Sequence, residues 1–127
     1  MKDRKPRAEC PSERQEQKAV VEWARLNPAI RDLLFSIQNE HSGDARSGHQ
    51  RKLVGVLAGV FDLFLPLPMG KYHGLWVEMK RKYGSRPSQA QINWHTRMTA
   101  LGYQAHFCYG YDDAIRVIKD YLQIRSL

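Results

Sequence analysis

Between Val60 and Lys82 the chain reads VFDLFLPLPMGKYHGLWVEMKRK. Two apolar runs flank a turn rich in Pro and Gly, which is the pattern of an antiparallel β-ribbon. A ribbon this apolar needs cover, so it fixes the middle of the fold. Yet Asp62 sits inside the first run, and Glu78 and Lys80 close the second. Side chains alternate faces along a strand, so in LWVEMK the residues Leu75, Val77 and Met79 share one face. Trp76, Glu78 and Lys80 share the other. The hairpin brings Asp62, on the partner strand, toward Glu78. Two carboxylates at that range repel and raise one another's pKa. A divalent cation removes the penalty, and Mg²⁺ is commonly held by one or two carboxylates plus phosphate oxygens. Lys80, beside such a site, is placed to orient an attacking water or to stabilise charge on a phosphate.

The remaining elements follow from local signals. PSERQEQKAVVEWARLN predicts a helix with Ser12 as N-cap, Gln15 in capping-box position, and an apolar face of Val20, Val21, Trp23 and Ala24. A short strand is expected from about Leu33 to Gln38, then a polar loop, then a short helix within Gln50–Gly59 despite its glycines. The ribbon follows. QAQINWHTRMTALG predicts a helix with Ser88 as N-cap and Gly102 at its C-terminal end. YQAHFCY predicts a strand, and DDAIRVIKDYLQI an amphipathic closing helix. The last strand follows a crossover helix, so it lies parallel to an earlier one. The expected fold class is α/β: a mixed sheet flanked by helices in the order αβ(α)ββαβα.

At 127 residues the chain has room for one core. Residues 1–10 are expected to form a flexible basic arm and 11–127 a single domain. No apolar run is long enough to span a membrane, and the N-terminus lacks the apolar segment of a signal peptide. Two cysteines, Cys10 in the arm and Cys108 in a strand, are too few for a disulfide framework and read as cytoplasmic thiols. The formal charge of +7 favours a polyanionic partner such as nucleic acid. His41, His49, His73, His95 and His106 show no zinc-ligand spacing with the cysteines, nor the His-Asn-His spacing of an HNH nuclease. Trp94 shares its helix with Ile92, Met98 and Leu101 and is expected to pack in the core.

GVFDLFLPLP, YHGLWVEMKRKYG, SQAQINWHTRMTALGY and CYGYDDAI, in that order and spacing, resemble the VRR-Nuc family of the PD-(D/E)xK nuclease superfamily. The resemblance covers roughly Ser12 to Ile118. The sequence departs from the pattern at Phe61, where the family usually has a proline before the aspartate. The resemblance implies a restriction-endonuclease-like core and catalytic roles for Asp62, Glu78 and Lys80. It implies that Asp62, Glu78 and the Met79 backbone carbonyl hold Mg²⁺ or Mn²⁺, and that Gln91 faces the site. It also implies a helix-borne acid followed four residues later by glutamine. Glu13 and Gln17 match that spacing, with Glu16 as the competitor. An acid in the first turn is equally what the helix dipole favours.

Lys71, Arg81, Lys82 and Arg86, around the ribbon and its exit loop, are expected DNA-backbone contacts; so is Arg46, in the loop that also carries Asn39, Glu40, His41 and Asp44. The family likeness implies a stand-alone nuclease of phage or prophage type acting in a bacterial host cell. Its expected substrate is branched DNA, most of all a four-way junction cut by a homodimer, with flap cleavage as the rival. A DNA-binding module without catalysis would explain the charge, but not the Asp, Glu and Lys on one ribbon. The candidate dimer surfaces are the ribbon tip LPLPMGKY or the first helix around Trp23, and sequence does not choose between them.

Overall fold

The computed structural model of the chain describes residues 10–38 and 45–125. Helix α1 (Glu13–Arg25) begins at Ser12, whose side chain accepts from the Gln15 N–H while the Gln15 side chain accepts from the Ser12 N–H. This capping box satisfies donors that the first turn leaves orphaned. Val20 and Ala24 are buried on the inner face. Strand β1 (Phe35–Ser36) is shorter than the expected 33–38, because Leu33 and Leu34 still donate backwards to the Ile30 carbonyl in a helical turn. Helix α2 (Ala45–Leu53) starts five residues before the expected 50–59 and ends sooner. Gly55, at φ +95°, supplies the left-handed residue that stops it, with the Val56 N–H donating back to the Arg51 carbonyl.

Strands β2 (Leu63–Leu65) and β3 (Leu75–Lys80) form the antiparallel ribbon, with Leu63 opposite Val77 and Leu65 opposite Leu75. β2 stops at Pro66, which has no N–H for a ladder. Helix α3 (Gln89–Ala100) is capped by Ser88 and Gln91 in a second capping box, and Gly102 follows it at φ +95°. Strand β4 (Gln104–Tyr109) pairs parallel to β3, and α4 (Tyr111–Leu122) closes the chain. The sheet order is β1-β2-β3-β4, so the α/β fold is a mixed sheet with helices on both faces.

Each face of the sheet buries its own cluster. Under α1 and α4 lie Leu63, Leu65, Leu75, Val77 and Met79, with Val20, Ala24, Val117, Ile118 and Tyr121 from the helices. The other face is smaller and aromatic: Phe61, Met98 and Ala105 with Trp76, Trp94, Tyr103 and Phe107 packed against them. Trp94 meets Trp76 edge-on at 5.2 Å between ring centroids, so it packs as expected. Phe61, standing where proline was expected, is fully buried with its ring centroid 4.9 Å from that of Phe107. It anchors the backbone immediately before Asp62 by packing instead of by a fixed φ.

One expectation needs correction. Cys10 does not belong to a loose arm: it is buried, and its carbonyl accepts from Arg81 Nη2 at 2.9 Å. Residues 1–9 of that arm lie outside the described residues. At the two expected dimer surfaces, Leu67, Met69, Tyr72 and Trp23 are partly buried against the chain's own core. No described helix is long and apolar enough to cross a membrane.

Candidate active site

The ribbon has one irregularity, and the site is built on it. β2 pairs with β3 only as far as Leu63 opposite Val77, so beyond that point β3 has an open edge. Asp62 occupies it. Its Oδ2 accepts from the Met79 N–H at 3.0 Å, replacing the ladder partner that a longer β2 would have supplied. The Asp62 N–H in turn donates to Glu78 Oε1 at 3.2 Å. The Asp62 carbonyl accepts from Ile37 at 2.7 Å, which ties this corner to the chain after β1. The two carboxylates are thus interleaved across neighbouring strands, each hydrogen-bonded to the backbone beside the other.

Gln91 completes the arrangement from α3. Its Nε2 donates to Glu78 Oε2 at 2.9 Å while its Oε1 accepts from the Ser88 N–H, so the capping box also orients the amide toward the site. Lys80 Nζ stands 3.8 Å from the same Glu78 oxygen, and both side chains are almost wholly buried. Glu13 faces the site: it lines one cleft with Asp62, Glu78 and Gln91, and its Oε2 accepts from the Ser85 hydroxyl at 2.9 Å. Gln17 lines the same cleft. Glu16, the competitor, is buried elsewhere, beside Gly110, where any Cβ would meet its carboxylate at 2.9 Å. The choice left open by the sequence therefore falls to Glu13.

Burial dominates the electrostatics. It pushes the Glu78 carboxyl up to about 8, and the neighbouring Asp62 charge pushes the same way while Lys80 opposes it. Burial also raises Asp62, against the Met79 hydrogen bond that stabilises its charged form. Two raised carboxylates in contact make a site that gains from a cation. Among the described residues no cluster of three or more His, Cys, Asp or Glu could hold a metal. The donors on hand are two carboxylates and a backbone oxygen. Lys80's carbonyl accepts from Gly110, so it points toward β4. Backbone groups alternate edges along a strand, so the Met79 carbonyl points to the opposite edge, the one Asp62 occupies. Two carboxylates, one carbonyl and room for phosphate or water fit Mg²⁺ or Mn²⁺, which keep several non-protein ligands.

The cleft has a volume of about 980 Å³. His49, Arg51 and Lys52 of α2 and Arg14 of α1 line the same cleft as the carboxylates. The sequence reading missed these cations. The signal was the run HQRK on a helix with no acidic residue in it. The expected phosphate contacts fare unevenly. Lys82 and Arg86 are exposed near the site's exit loop. Arg81 holds the Cys10 carbonyl. Lys71 lies in the Met69–Tyr72 turn at the far end of β3, with its ammonium over the Tyr72 ring. Residues 39–44, which include Asn39, Glu40, His41 and Asp44, and the side chain of Arg46 lie outside the described residues. Lys80 is buried beside Glu78 and does not itself line the cleft.

No protein-family profile and no curated protein matches the chain. A solved structure described as a VRR_NUC domain protein does: it is 26% identical, superimposes with a TM-score of 0.82, and the match covers 91% of this chain and 92% of that one.

Proposed function

We propose that this chain, which has the VRR-Nuc family fold, is a divalent-metal-dependent, structure-specific DNA endonuclease. The observation that carries the reading is the interleaved Asp62–Glu78 pair on the wall of a cleft that cations also line. Asp62, Glu78 and the Met79 carbonyl would hold the cation, which would supply a Lewis acid for the phosphodiester. Gln91 and the Asp62 N–H fix the Glu78 carboxylate, so its lone pairs keep one direction. Glu13 adds a carboxylate on the same wall, within reach of a water directed at the phosphorus. Lys80, beside Glu78, offsets the carboxylate charge and stabilises negative charge developing on the phosphate. Arg51 and Lys52 hold the backbone on the α2 wall. Product ends of 5′-phosphate and 3′-hydroxyl follow from the family likeness.

The substrate within this reading is branched DNA, a four-way junction above all. One chain offers one carboxylate pair, whereas a junction needs two symmetric cuts, so two copies act together about a two-fold axis. The test is direct. The protein is incubated with labelled four-way junction, flap, duplex and single strand, with Mg²⁺ or Mn²⁺, while sedimentation reports its oligomeric state. Paired symmetric cuts by a dimer support the junction reading. A monomer that trims flaps and leaves junctions whole replaces it with flap cleavage. No cleavage of any of the four with either metal overturns the nuclease reading itself.

A further inference from the structure

A second, smaller groove of about 190 Å³ opens beside the cleft, and the two share a wall made by Leu57, Ala58 and Ala90. Its other side is α3. Ala90, Asn93, Trp94 and Arg97 follow one another at i, i+3, i+4 and i+7, so a single helix face supplies them. The separation of the two walls is fixed by backbone contact. Gly59, at φ +88°, lies so close to Ala90 that a Cβ there would collide with the Ala90 carbonyl.

The volume is the liquid share of about six waters, room for one planar ring system and too little for a base pair. The chemistry is mixed in the way such a ring needs. Leu57, Ala58, Ala90 and the Trp94 ring are apolar, and Asn93 and Arg97 bring donors. Gln89 Nε2 donates to Asn93 Oδ1 at 2.9 Å, which turns the Asn93 NH₂ group outward as a donor. Leu57 is 58% exposed, a large apolar side chain left uncovered at the junction of the two grooves. The neighbouring cleft says what runs past it. Arg14, Arg51 and Lys52 suit a phosphate chain, and Leu57 lines both the cleft and the groove, so a strand lying in the cleft would pass the groove's mouth.

We infer that the groove between Leu57 and Arg97 receives an unpaired nucleobase of the strand whose phosphate lies against Asp62 and Glu78; the assignment rests on the nuclease reading of the cleft. In a duplex the bases are stacked on one another, and extruding one costs a few kcal/mol, least where it is already unpaired. The groove therefore selects DNA with an unpaired base beside the cut. Its donors at Asn93 and Arg97 match an acceptor edge such as guanine O6 and N7, whereas the adenine amino group would oppose them.

The test uses the full chain with Ca²⁺ in place of Mg²⁺ and an oligonucleotide branched so that one nucleotide beside the cut is unpaired. That position carries guanine, 2-aminopurine or an abasic site. Wild-type protein should bind the guanine form about tenfold more tightly than the abasic form, and the 2-aminopurine fluorescence should change on binding. Leu57→Ser, Arg97→Ala and the groove-filling Ala58→Trp should each bring the two affinities within about twofold and abolish the fluorescence change. Equal affinities in the wild type, or a tenfold preference that survives all three substitutions, would overturn the groove assignment. Cleavage of the same oligonucleotides with Mg²⁺ or Mn²⁺ is read in parallel. Groove-dependent base binding without any cleavage would support the groove and remove the nuclease reading; cleavage without base discrimination would do the reverse.

Discussion

The cleft has two walls of opposite construction. Glu13, Asp62, Glu78 and Gln91 belong to elements that the core holds: α1 through Val20 and Ala24, the ribbon through Leu63 and Val77, α3 through Met98. The other wall is α2, which is basic, has no acidic residue in its first turn, and leaves Leu53 and Val54 at its end 72% and 81% exposed. Among the described residues, Arg51 Nη2 of α2 donates to the Gln38 carbonyl at a long 3.4 Å. Groups that must meet a reacting atom within tenths of an ångström stand on packed elements, while groups that grip a polyanion stand on a helix with little packing of its own. The first wall should govern rate and the second affinity.

The largest effect belongs to the first wall. Asp62→Asn or Glu78→Gln removes an ionised ligand with little change in volume, so cleavage should fall by about 10³-fold or more. Affinity for DNA should stay within a few fold. Single-turnover assays at saturating metal check this, and full activity in either variant would break the assignment of that wall. Lys80→Ala comes next, with an expected loss of roughly 10²-fold. Metal binding followed by calorimetry should persist, because an ammonium has no lone pair with which to ligate a cation. A Lys80→Ala protein as fast as wild type would make the buried ammonium a structural counter-ion only.

The second wall should answer differently. Arg51→Ala should weaken DNA binding several-fold with little change in the rate of the bound complex, and lower the salt slope of log affinity by about one. Arg81 serves as the contrast. Its guanidinium is committed to the Cys10 carbonyl, so Arg81→Ala should leave the salt slope alone and lower the melting temperature. Reversed results at the two arginines would remove the distinction between the walls.

A smaller effect concerns stability without metal. Glu78 has its folded pKa raised to about 8 from an ordinary 4.5. The folded state therefore holds a proton that the unfolded state has lost between those values. Its contribution to stability is full below the lower value and declines as pH rises through the upper one. The melting temperature of metal-free protein should fall as pH rises from about 4.5 to about 8 and level off above that, and Glu78→Gln should flatten the fall. A profile identical in both proteins would mean that Glu78 does not titrate as its burial requires.

Much of the first wall was legible in the sequence because its signals are local. Alternation in LWVEMK placed Glu78 and Lys80 on one face, and the Ser12 and Ser88 caps fixed where α1 and α3 begin, hence where Glu13 and Gln91 lie. What sequence left open was decided by tertiary contacts. Glu13 and Glu16 stand three residues apart on one helix, and tertiary contacts separate their roles: Ser85 meets Glu13 and Gly110 approaches Glu16. The Arg81–Cys10 bond joins residues 71 apart, beyond any local pattern. α2 was misplaced for a different reason. A helix that packs little carries no apolar period, so nothing in ARSGHQRKL marked its ends except the later Gly55. Lys71 was grouped with the site through nearness in sequence, although β3 carries the chain from one end of the sheet to the other between Lys71 and Glu78.

The central claim is that Asp62 and Glu78 form one divalent-cation site whose electrostatic strain the cation relieves. Titrating metal-free protein with Mn²⁺ at pH 7, in two buffers of different ionisation enthalpy, tests it most directly. Saturable binding should release close to one proton per cation, since Glu78 is largely protonated below about 8 and must ionise to bind. At pH 9 the release should vanish, and Asp62→Asn should bind far more weakly at both pH values. Binding without proton release at pH 7, or undiminished binding by Asp62→Asn, would contradict the account.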